Sequence, residues 1–388
     1  MFIRVCGIGL VSAIGVGSAE NFSSLLSSNC GIGALTLFDS AVDVPVGQVK
    51  RTNGQLKELL GIAQTTTISR TALLGAIAAR EAIDDAQIPA GSRIGLISST
   101  TVGGMDLSEN FYADFRNNPN SGRLRDIVGH DCGSSTEFIA RQCGITGFRT
   151  TISTACSSAA NAVIMGAEML KCDMLDYVLV GGVDSLCRFT LNGFNSLMIL
   201  DKGLCRPLDR DRNGLNLGEG AGYLVLAKNT TKSYCSLSGY ANANDAFHQT
   251  ASSDNGQGAY LSMCGAIERA GILPCEIDYI NLHGTGTQNN DSSEMAAVGR
   301  VFGDDVPPCS STKCYTGHTL AAAGAIEAVY SILAIQNGVR YANLRFENPI
   351  EGAASPLTQI QRGVTIKNVL SNSFGFGGNC SSLIFSKE

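Results

Sequence analysis

Residues 150–163, Thr-Thr-Ile-Ser-Thr-Ala-Cys-Ser-Ser-Ala-Ala-Asn-Ala-Val, decide the fold of this chain. The β-branched run 150–152 predicts a short strand, and Ser153 or Thr154 is suited to cap a following helix. Small or apolar residues then recur with the helical period, at positions 156, 159, 160, 163, 167 and 170. We therefore expect Cys156 in the first turn of a helix, where free backbone N–H groups and the helix dipole favour a thiolate. The alternative is a buried structural cysteine, and the rest of the chain decides between the two.

The composition limits the function. The chain has 388 residues, of which 44% are hydrophobic, so it can bury one large core or two fused cores. A net charge of −6 argues against nucleic acid as the main partner. The 14 cysteines lack C-x-x-C spacing and only 4 histidines accompany them, which argues against a zinc site. With neither a secretory pattern nor an apolar stretch of membrane-spanning length, we expect reduced thiols in a cytoplasmic protein with no membrane partner.

The second half of the sequence repeats the pattern of the first. In both halves a strand runs into a glycine-rich loop, a short polar motif precedes an alanine-rich helix, and a buried strand ends in glycines. The paired segments are 93–104 with 277–287, 154–170 with 312–328, and 177–182 with 369–378. This duplication predicts an α/β architecture with pseudo-twofold symmetry, in which loops from both halves meet at the ends of the strands.

Three further segments carry predictions. Residues 2–14 predict a strand, a glycine turn and a second short apolar segment. Residues 66–86 predict an amphipathic helix. Residues 106–135 are polar and without a clear period, which predicts an insertion that covers the site or forms a partner surface.

Four motifs now carry a resemblance to a known family. They are TACSSAAN at 154–161, HGTGTQNND at 283–291, TKCYTGHTLAAAGAIEA at 312–328 and NSFGFGG at 372–378. Their order and separation resemble the elongating β-ketoacyl-acyl carrier protein synthases of type II systems. The resemblance implies a thiolase-like α/β fold with two duplicated βαβ-type halves, residues 1–235 with the nucleophile and 236–388 with two catalytic histidines, forming a layered α-β-α-β-α core. Thiolases and the Cys-His-Asn initiating or chalcone-type enzymes fit less well, since both His283 and His318 are present.

The resemblance implies a role for each residue. Cys156 would accept the acyl chain, and the backbone N–H groups of Cys156 and Phe376 would form the oxyanion hole. Neutral His283 and His318 would donate hydrogen bonds to the enolate, with Lys313 as electrostatic support. Core or capping histidines and a surface lysine are the structural alternatives.

Supporting residues follow from the same resemblance. Glu327 would organise water near the site or, together with Asn281, Ser371 and Asn372, a structural monovalent cation. Thr285 and Thr287 would bind the pantetheine arm, with ordinary turn hydroxyls as an equally weighted alternative. Phe376 would gate the acyl pocket, which Val102 and Phe194 would line. No cofactor is required and no metal ligand set is expected at the catalytic residues.

The sequence also departs from the family pattern. Asn379-Cys380 stands where the family has Thr-Asn, and Met198 stands where it has a basic carrier-protein contact, for which Lys202 and Arg206 could substitute. The expected activity is decarboxylative Claisen condensation of a Cys-bound acyl chain with malonyl-acyl carrier protein in fatty-acid elongation. The enzyme would act as a homodimer or as half of a heterodimer. The alternatives are a ketosynthase of a dedicated type II polyketide or aryl polyene pathway and a non-catalytic chain-length partner subunit.

Overall fold

A computed structural model describes residues 3–388, which form a mixed α/β fold. The strands are β1 Ile3–Ser12, β2 Gly15–Val16, β3 Ile94–Ser99, β4 Arg149–Ile152, β5 Tyr177–Asp184, β6 Gly220–Ala227, β7 Cys235–Asn244, β8 Tyr279–Asn281, β9 Cys309–Ser310, β10 Val339–Arg340, β11 Gln361–Arg362, β12 Asn368–Phe374 and β13 Asn379–Ser386. The helices are α1 Ser18–Leu26, α2 Asn53–Leu60, α3 Arg70–Ala86, α4 Met105–Asn117, α5 Cys132–Gln142, α6 Ser158–Lys171, α7 Arg188–Ser196, α8 Gln257–Ala270, α9 Gln288–Phe302, α10 Lys313–Thr316 and α11 Ala323–Asn337. Short 3₁₀ turns lie at Leu124–Asp126, Pro274–Glu276, Leu320–Ala322 and Phe376–Gly378.

The strand order confirms the duplication. The first half is arranged β4-β3-β5-β6-β1 in space, and the second half is arranged β9-β8-β12-β13-β7. When the five main strands of each half are numbered 1 to 5 in sequence order, their order across the sheet is 3-2-4-5-1 in both halves. β1 and β7 pair antiparallel and join the halves into one sheet path. The predicted boundary between residues 235 and 236 falls at the first residue of β7, and the division into two domains stays a prediction.

Helices α6 and α11 form the central layer. Ala159 and Val163 of α6 share one apolar cluster with Val329 of α11, and the cluster extends to strands of both halves. A second cluster packs α3 on the outer face of the first half, and a third packs α8 and α9 on the outer face of the second. The layers therefore run α-β-α-β-α, as the resemblance implies. The helical stretch Leu320–Asn337 is apolar enough to span a membrane by composition, and 83% of it is buried inside the protein.

The glycines near the N-terminus have a different function from the predicted one. β1 continues through Gly7 and Gly9 without a turn. A Cβ atom on Gly7 would lie 2.2 Å from the carbonyl oxygen of Ala82, and one on Gly9 would lie 1.9 Å from that of Ala78. These glycines therefore allow α3 to lie directly on β1. The predicted helix at 66–86 exists but begins at Arg70, where the side chain of Ser69 caps it.

Residues 106–135 are more regular than their sequence predicts, since they include most of α4 and the start of α5. α4 has no buried residue, although Phe111 and Phe115 stack on it with ring centroids 5.9 Å apart. Among the described residues, the wall of the cavity at Cys156 includes none from 106–135. The expectation that this segment covers the site within its own chain is therefore wrong. Tyr112, Leu124 and Val128 are exposed, so the partner-surface alternative stays a prediction.

Candidate active site

Cys156 lies in a tight connection between β4 and α6, here called the nucleophile loop (residues 153–157). The helix begins at Ser158 with Ser157 at its N-cap, so Cys156 precedes the helix and does not lie in its first turn. Ala155 has a φ of +51°, a left-handed conformation that costs a non-glycine residue about 1–2 kcal/mol. The hydroxyl of Ser158 holds this bend by accepting a hydrogen bond from the backbone N–H of Thr154 at 2.8 Å. The loop thereby presents the sulfur to the second half of the molecule.

Two histidines from the second half meet this sulfur. His283 follows β8, and His318 lies between α10 and the 3₁₀ turn at Leu320–Ala322. Nε2 of His318 lies 3.1 Å from Sγ of Cys156, and the two imidazole rings pack edge to face with centroids 5.3 Å apart. The sulfur and one ring nitrogen of each histidine lie within 4.8 Å of one another, and all three residues are buried. The fold therefore joins the three predicted residues in one cluster.

Hydrogen bonds fix the tautomer of both rings. Nδ1 of His318 accepts from the backbone N–H of Leu320 at 3.2 Å. Nδ1 of His283 accepts from the ammonium group of Lys313, also at 3.2 Å. Because each Nδ1 is an acceptor, the proton of each neutral ring is on Nε2. Burial and the Lys313 charge lower the pKa of both histidines well below the ordinary value, and His318 adds to the effect on His283. Both rings are therefore neutral N–H donors.

These tautomers also oppose metal binding. Cysteine and histidine are ligands that zinc prefers, and the three side chains are close enough to share an ion. A metal-bound imidazole, however, normally donates its second N–H to an acceptor. Here a backbone N–H and a lysine ammonium group occupy those positions. The arrangement suits hydrogen-bond donation to a substrate oxygen better than it suits a cation.

The thiol of Cys156 is not the readily ionised group that a position in the first helical turn predicts. Burial raises the pKa of Cys156 to about 11. The charge of Lys313 and the backbone groups of Phe376 and of Cys156 itself act in the opposite direction without cancelling the effect of burial. The thiol is therefore protonated at neutral pH, and the backbone groups that would stabilise negative charge lie against it.

Lys313 is buried rather than exposed at the surface, with 2% of its area accessible. Its ammonium group donates to the carbonyl oxygen of His283 at 2.6 Å and forms an ion pair with Glu327. Burial raises the pKa of Glu327 to about 7, against the opposing effect of Lys313. The two predicted supporting residues are thus a coupled pair directly behind His283.

Buried oxygen atoms around Glu327 test the predicted cation site. Asn281 and Ser371 are direct partners on the parallel strands β8 and β12. Among the described residues, Oδ1 of Asn281, Oγ of Ser371 and Oε2 of Glu327 are buried without a hydrogen-bond partner. Unpaired buried oxygens of this kind are suitable ligands for a hard cation. The side chain of Asn372 differs, since it donates to Glu294 and accepts from Ser382.

A cavity of about 400 Å³ leads to the Cys-His-His cluster. Its wall includes Thr285 and Thr287, whose hydroxyl oxygens are 2.9 Å apart. Phe194 and Phe376 also line it, and their rings stack with centroids 5.9 Å apart. Val102 is buried in the apolar cluster against which Phe194 packs and is not on the wall of this cavity, so its place in the acyl pocket stays a prediction.

The sequence did not indicate three buried carboxylates that hold the loops around His283 and His318. Glu294 accepts hydrogen bonds from the backbone N–H groups of His283 and Gly284, at 2.8 and 2.7 Å. Asp291 accepts from the N–H of Thr285 at 2.9 Å. Asp184 accepts from the N–H of Ala321 at 2.8 Å. The available signal was the spacing of Asp291 and Glu294, which places two acids on one face of the helix that follows the histidine loop.

Comparisons with known proteins agree with this arrangement. Residues 2–232 match the family "Beta-ketoacyl synthase, N-terminal domain", and residues 234–347 match "Beta-ketoacyl synthase, C-terminal domain". The chain is 31% identical to the 3-oxoacyl-[acyl-carrier-protein] synthase 2 of Rhizobium meliloti (strain 1021), over 98% of each protein. Its fold is similar to that of the ishigamide ketosynthase/chain length factor, with a TM-score of 0.94, 27% identity, and 100% and 99% of the two chains covered. It is also similar to a ketosynthase (ApeO) in complex with its chain length factor (ApeC) from Xenorhabdus doucetiae, with a TM-score of 0.88, 32% identity, and 100% and 98% covered.

Proposed function

The chain belongs to the β-ketoacyl synthase family, and we propose that it condenses a Cys156-bound acyl chain with malonyl-acyl carrier protein in fatty-acid elongation. One observation carries the proposal: two neutral imidazoles, each with Nδ1 occupied as an acceptor, face the same buried sulfur. This geometry provides a buried nucleophile and two hydrogen-bond donors at the wall of one cavity.

The first step transfers the acyl chain. The sulfur of Cys156 bonds to the thioester carbonyl carbon, the bond to the donor sulfur breaks, and the thiol proton leaves with the departing thiol. Negative charge on the carbonyl oxygen would be stabilised by the backbone N–H groups of Cys156 and Phe376, the groups that lower the pKa of the thiol. Gly375 permits this approach, since a Cβ atom there would lie only 3.1 Å from the backbone nitrogen of Cys156.

The second step forms the carbon–carbon bond. When the malonyl group loses carbon dioxide, the electrons of the broken bond form an enolate, whose oxygen would accept hydrogen bonds from Nε2 of His283 and of His318. The enolate carbon then attacks the acyl carbonyl, and Cys156 leaves as a thiolate. The lowered pKa of both histidines favours this route because an imidazolium would protonate the carbanion.

Lys313 and Glu327 would support the site by electrostatics. The ammonium group of Lys313 holds Nδ1 of His283 as an acceptor, and Glu327 compensates its charge. A structural monovalent cation would be held by the buried oxygens of Asn281, Glu327 and Ser371 that have no hydrogen-bond partner. The chemistry itself requires no cofactor, because bond making and breaking involve only thioesters, Cys156 and hydrogen-bond donors of this chain.

The proposed partner is an acyl carrier protein, because the name of the Rhizobium meliloti relative includes an acyl carrier protein. Its pantetheine arm would enter the cavity beside the hydroxyls of Thr285 and Thr287. Its body would rest on the rim, where Met198 is exposed and Lys202 is the nearby cation. Arg206 is less available than its position predicts, because its side chain pairs with Asp209 and Glu347.

A dedicated type II polyketide or polyene pathway is the second candidate. Two similar solved structures contain a ketosynthase together with a chain length factor, and one of them is 32% identical to this chain. The exposed apolar residues of 106–135 would suit the dimer interface of either candidate, with a second copy in a homodimer or a different subunit in a heterodimer. The intact cluster of Cys156, His283 and His318 argues against a non-catalytic chain-length subunit. We place the activity in the cytoplasm.

The test is acyl transfer followed by condensation. The purified protein is mixed with carrier proteins that carry saturated or polyunsaturated acyl chains of increasing length, and its intact mass is measured before and after addition of malonyl-carrier protein. We expect one acyl group per chain, released as a β-ketoacyl product, and no acylation of Cys156→Ala. Preference for saturated chains favours fatty-acid elongation, and preference for polyunsaturated chains favours the second candidate. Absence of acylation with every donor would contradict both.

A further inference from the structure

The side chain of Asn379 joins the two segments that carry the proposed oxyanion-hole donors. Its Oδ1 accepts three hydrogen bonds, from Oγ of Ser157 at 2.6 Å, Nδ2 of Asn161 at 2.9 Å and Nδ2 of Asn242 at 2.8 Å. Ser157 follows the nucleophile directly, and Asn161 lies one turn into α6. Asn379 is the first residue of β13, directly after the loop that carries Phe376, here called the gate loop (residues 375–378). A single oxygen atom therefore connects the gate loop to the nucleophile loop.

The backbone of Asn379 strengthens this connection. Its carbonyl oxygen accepts a hydrogen bond from the N–H of Gly375 at 2.8 Å, which closes the gate loop at its base. Gly375 in turn packs against the nucleophile loop, where a Cβ atom would lie 3.1 Å from both the nitrogen of Cys156 and the carbonyl oxygen of Thr154. The two loops are thus in backbone contact on one side of Phe376 and joined by the Asn379 side chain on the other.

We propose that Asn379 is a positioning residue that sets the separation of the two oxyanion-hole donors, the backbone N–H groups of Cys156 and Phe376. The inference rests on the proposed function, since it assigns to Asn379 the task of aligning a hole that acyl transfer uses. The two donors lie on separate segments, 220 positions apart in the sequence (376 − 156). Each must point at the same oxygen, and a displacement of about 1 Å at a reacting centre can cost about 10²-fold in rate.

The chemistry of the network specifies which substitution should matter. Only the acceptor oxygen of Asn379 is used, because all three partners donate to it. Aspartate retains an acceptor of the same shape, whereas leucine retains the approximate volume and loses the acceptor. Ser381 provides a matched control two residues further along β13. Its hydroxyl donates to Oδ1 of Asn161 at 2.8 Å but makes no hydrogen bond to Asn379, so Ser381→Ala alters the network without removing the connection.

The experiment compares two reactions of the same sulfur. Acylation of Cys156 by octanoyl-N-acetylcysteamine develops an oxyanion, whereas alkylation by iodoacetamide does not. Both rates are measured by intact mass for the wild type, Asn379→Leu, Asn379→Asp and Ser381→Ala, and the ratio of acylation to alkylation is compared. We expect Asn379→Leu to lower this ratio about 10-fold or more, with Asn379→Asp and Ser381→Ala close to the wild type.

The ratio distinguishes positioning from general damage. If Asn379→Leu loses both rates in parallel, or keeps the wild-type ratio, Asn379 does not align the oxyanion hole and the inference is overturned. A ratio that falls equally in Asn379→Asp would overturn it as well, because the acceptor would then not be the cause. If the wild type is alkylated but accepts no acyl group from this donor or from carrier proteins, the proposed function fails. Wild-type acylation with an unchanged ratio in Asn379→Leu leaves the proposed function intact.

Discussion

Nε2 of His318 lies 3.1 Å from the sulfur of Cys156, although the two residues belong to different halves of a duplicated fold. The other ring nitrogen accepts a hydrogen bond from the backbone of Leu320, so the proton of the neutral ring faces the sulfur. A base would need the opposite tautomer. His318 is therefore arranged to donate a hydrogen bond to an oxygen at this position and not to remove the thiol proton.

The histidines should consequently matter more for decarboxylation than for acylation. Replacing His318 or His283 with alanine removes one N–H donor from the enolate, and loss of one such donor typically costs about 10²–10³ in rate. We expect release of carbon dioxide from the malonyl donor to slow by that amount, while acylation of Cys156 changes by less than about tenfold. His318→Asn, whose amide can still donate, is the control and should retain part of the rate. Equal loss of both steps would assign the histidines to thiol activation instead.

The thiol should react faster as the pH rises. Burial raises the pKa of Cys156 to about 11, and only the thiolate is nucleophilic. The thiolate fraction therefore increases with pH throughout the neutral range, and we expect the rate of iodoacetamide alkylation to rise about tenfold per unit between pH 6 and 9. Mass spectrometry of the peptide that contains Cys156 measures this rate. A plateau below pH 8 would show instead that the helix terminus and Lys313 overcome the effect of burial.

The sequence predicts the members of the site better than their environment. Short motifs are sufficient to identify Cys156, His283 and His318, because the cysteine lies between a short strand and an alanine-rich helix and each histidine lies beside a glycine. The left-handed bend at Ala155 and the late start of α6 could not be predicted, since they depend on a hydrogen bond from the backbone N–H of Thr154 to the hydroxyl of Ser158 and on packing against Gly375. These features move Cys156 out of the helix.

Burial was the second property that the motifs did not reveal. The raised pKa of Cys156 results from desolvation by the complete fold, whereas the sequence shows only the nearby helix terminus. From the sequence alone Gly7 and Gly9 predict a turn, because a single sequence does not show that a helix packs on that strand. The anchoring role of Glu294 was similarly hidden, because an acid on a helix is usually exposed to solvent.

The Lys313–Glu327 pair should be sensitive to removal of one partner. Lys313→Met leaves the Glu327 carboxylate buried without its counter-charge, and breaking a buried pair in this way costs about 3–5 kcal/mol. The double variant Lys313→Met/Glu327→Leu removes both charges and should recover much of this loss. Denaturant unfolding at pH 8 measures the free energies. If the single and double variants were equally unstable, the loss would come from the contacts of the Lys313 stem and not from the isolated charge.

The same pair makes this destabilisation depend on pH. Burial raises the pKa of Glu327 from its ordinary value of 4.5 to about 7, so the native state binds more protons than the unfolded state between these two pH values. Stability from this group is therefore present below pH 4.5 and is lost as the pH rises to 7. In Lys313→Met the carboxyl of Glu327 loses the neighbouring charge that lowers its pKa, so the pH range over which stability is lost extends above 7. We expect the difference in free energy of unfolding between the wild type and Lys313→Met to increase from pH 6 to pH 8. A constant difference would contradict the assignment.

Met198 should determine how carrier-protein binding depends on salt. Its side chain is 89% exposed at the end of α7, with a φ of +57°, and it borders the cavity that leads to Cys156. An apolar contact at this rim is not screened by salt, whereas an arginine there would attract a carrier protein with an acidic surface. We expect Met198→Arg to lower the KM for such a carrier protein about two- to fivefold at low ionic strength, and expect salt to remove the gain. The KM for the acyl-N-acetylcysteamine thioester should not change, because that donor has no protein surface.

Met198→Gln, which has similar length and no charge, is the control for shape. If Met198→Arg changed the KM of both donors equally, Met198 would act on the cavity and not on the docking surface. If the KM of the wild type for the carrier protein depended on salt as strongly as that of the arginine variant, Lys202 or another cation would already dominate the contact.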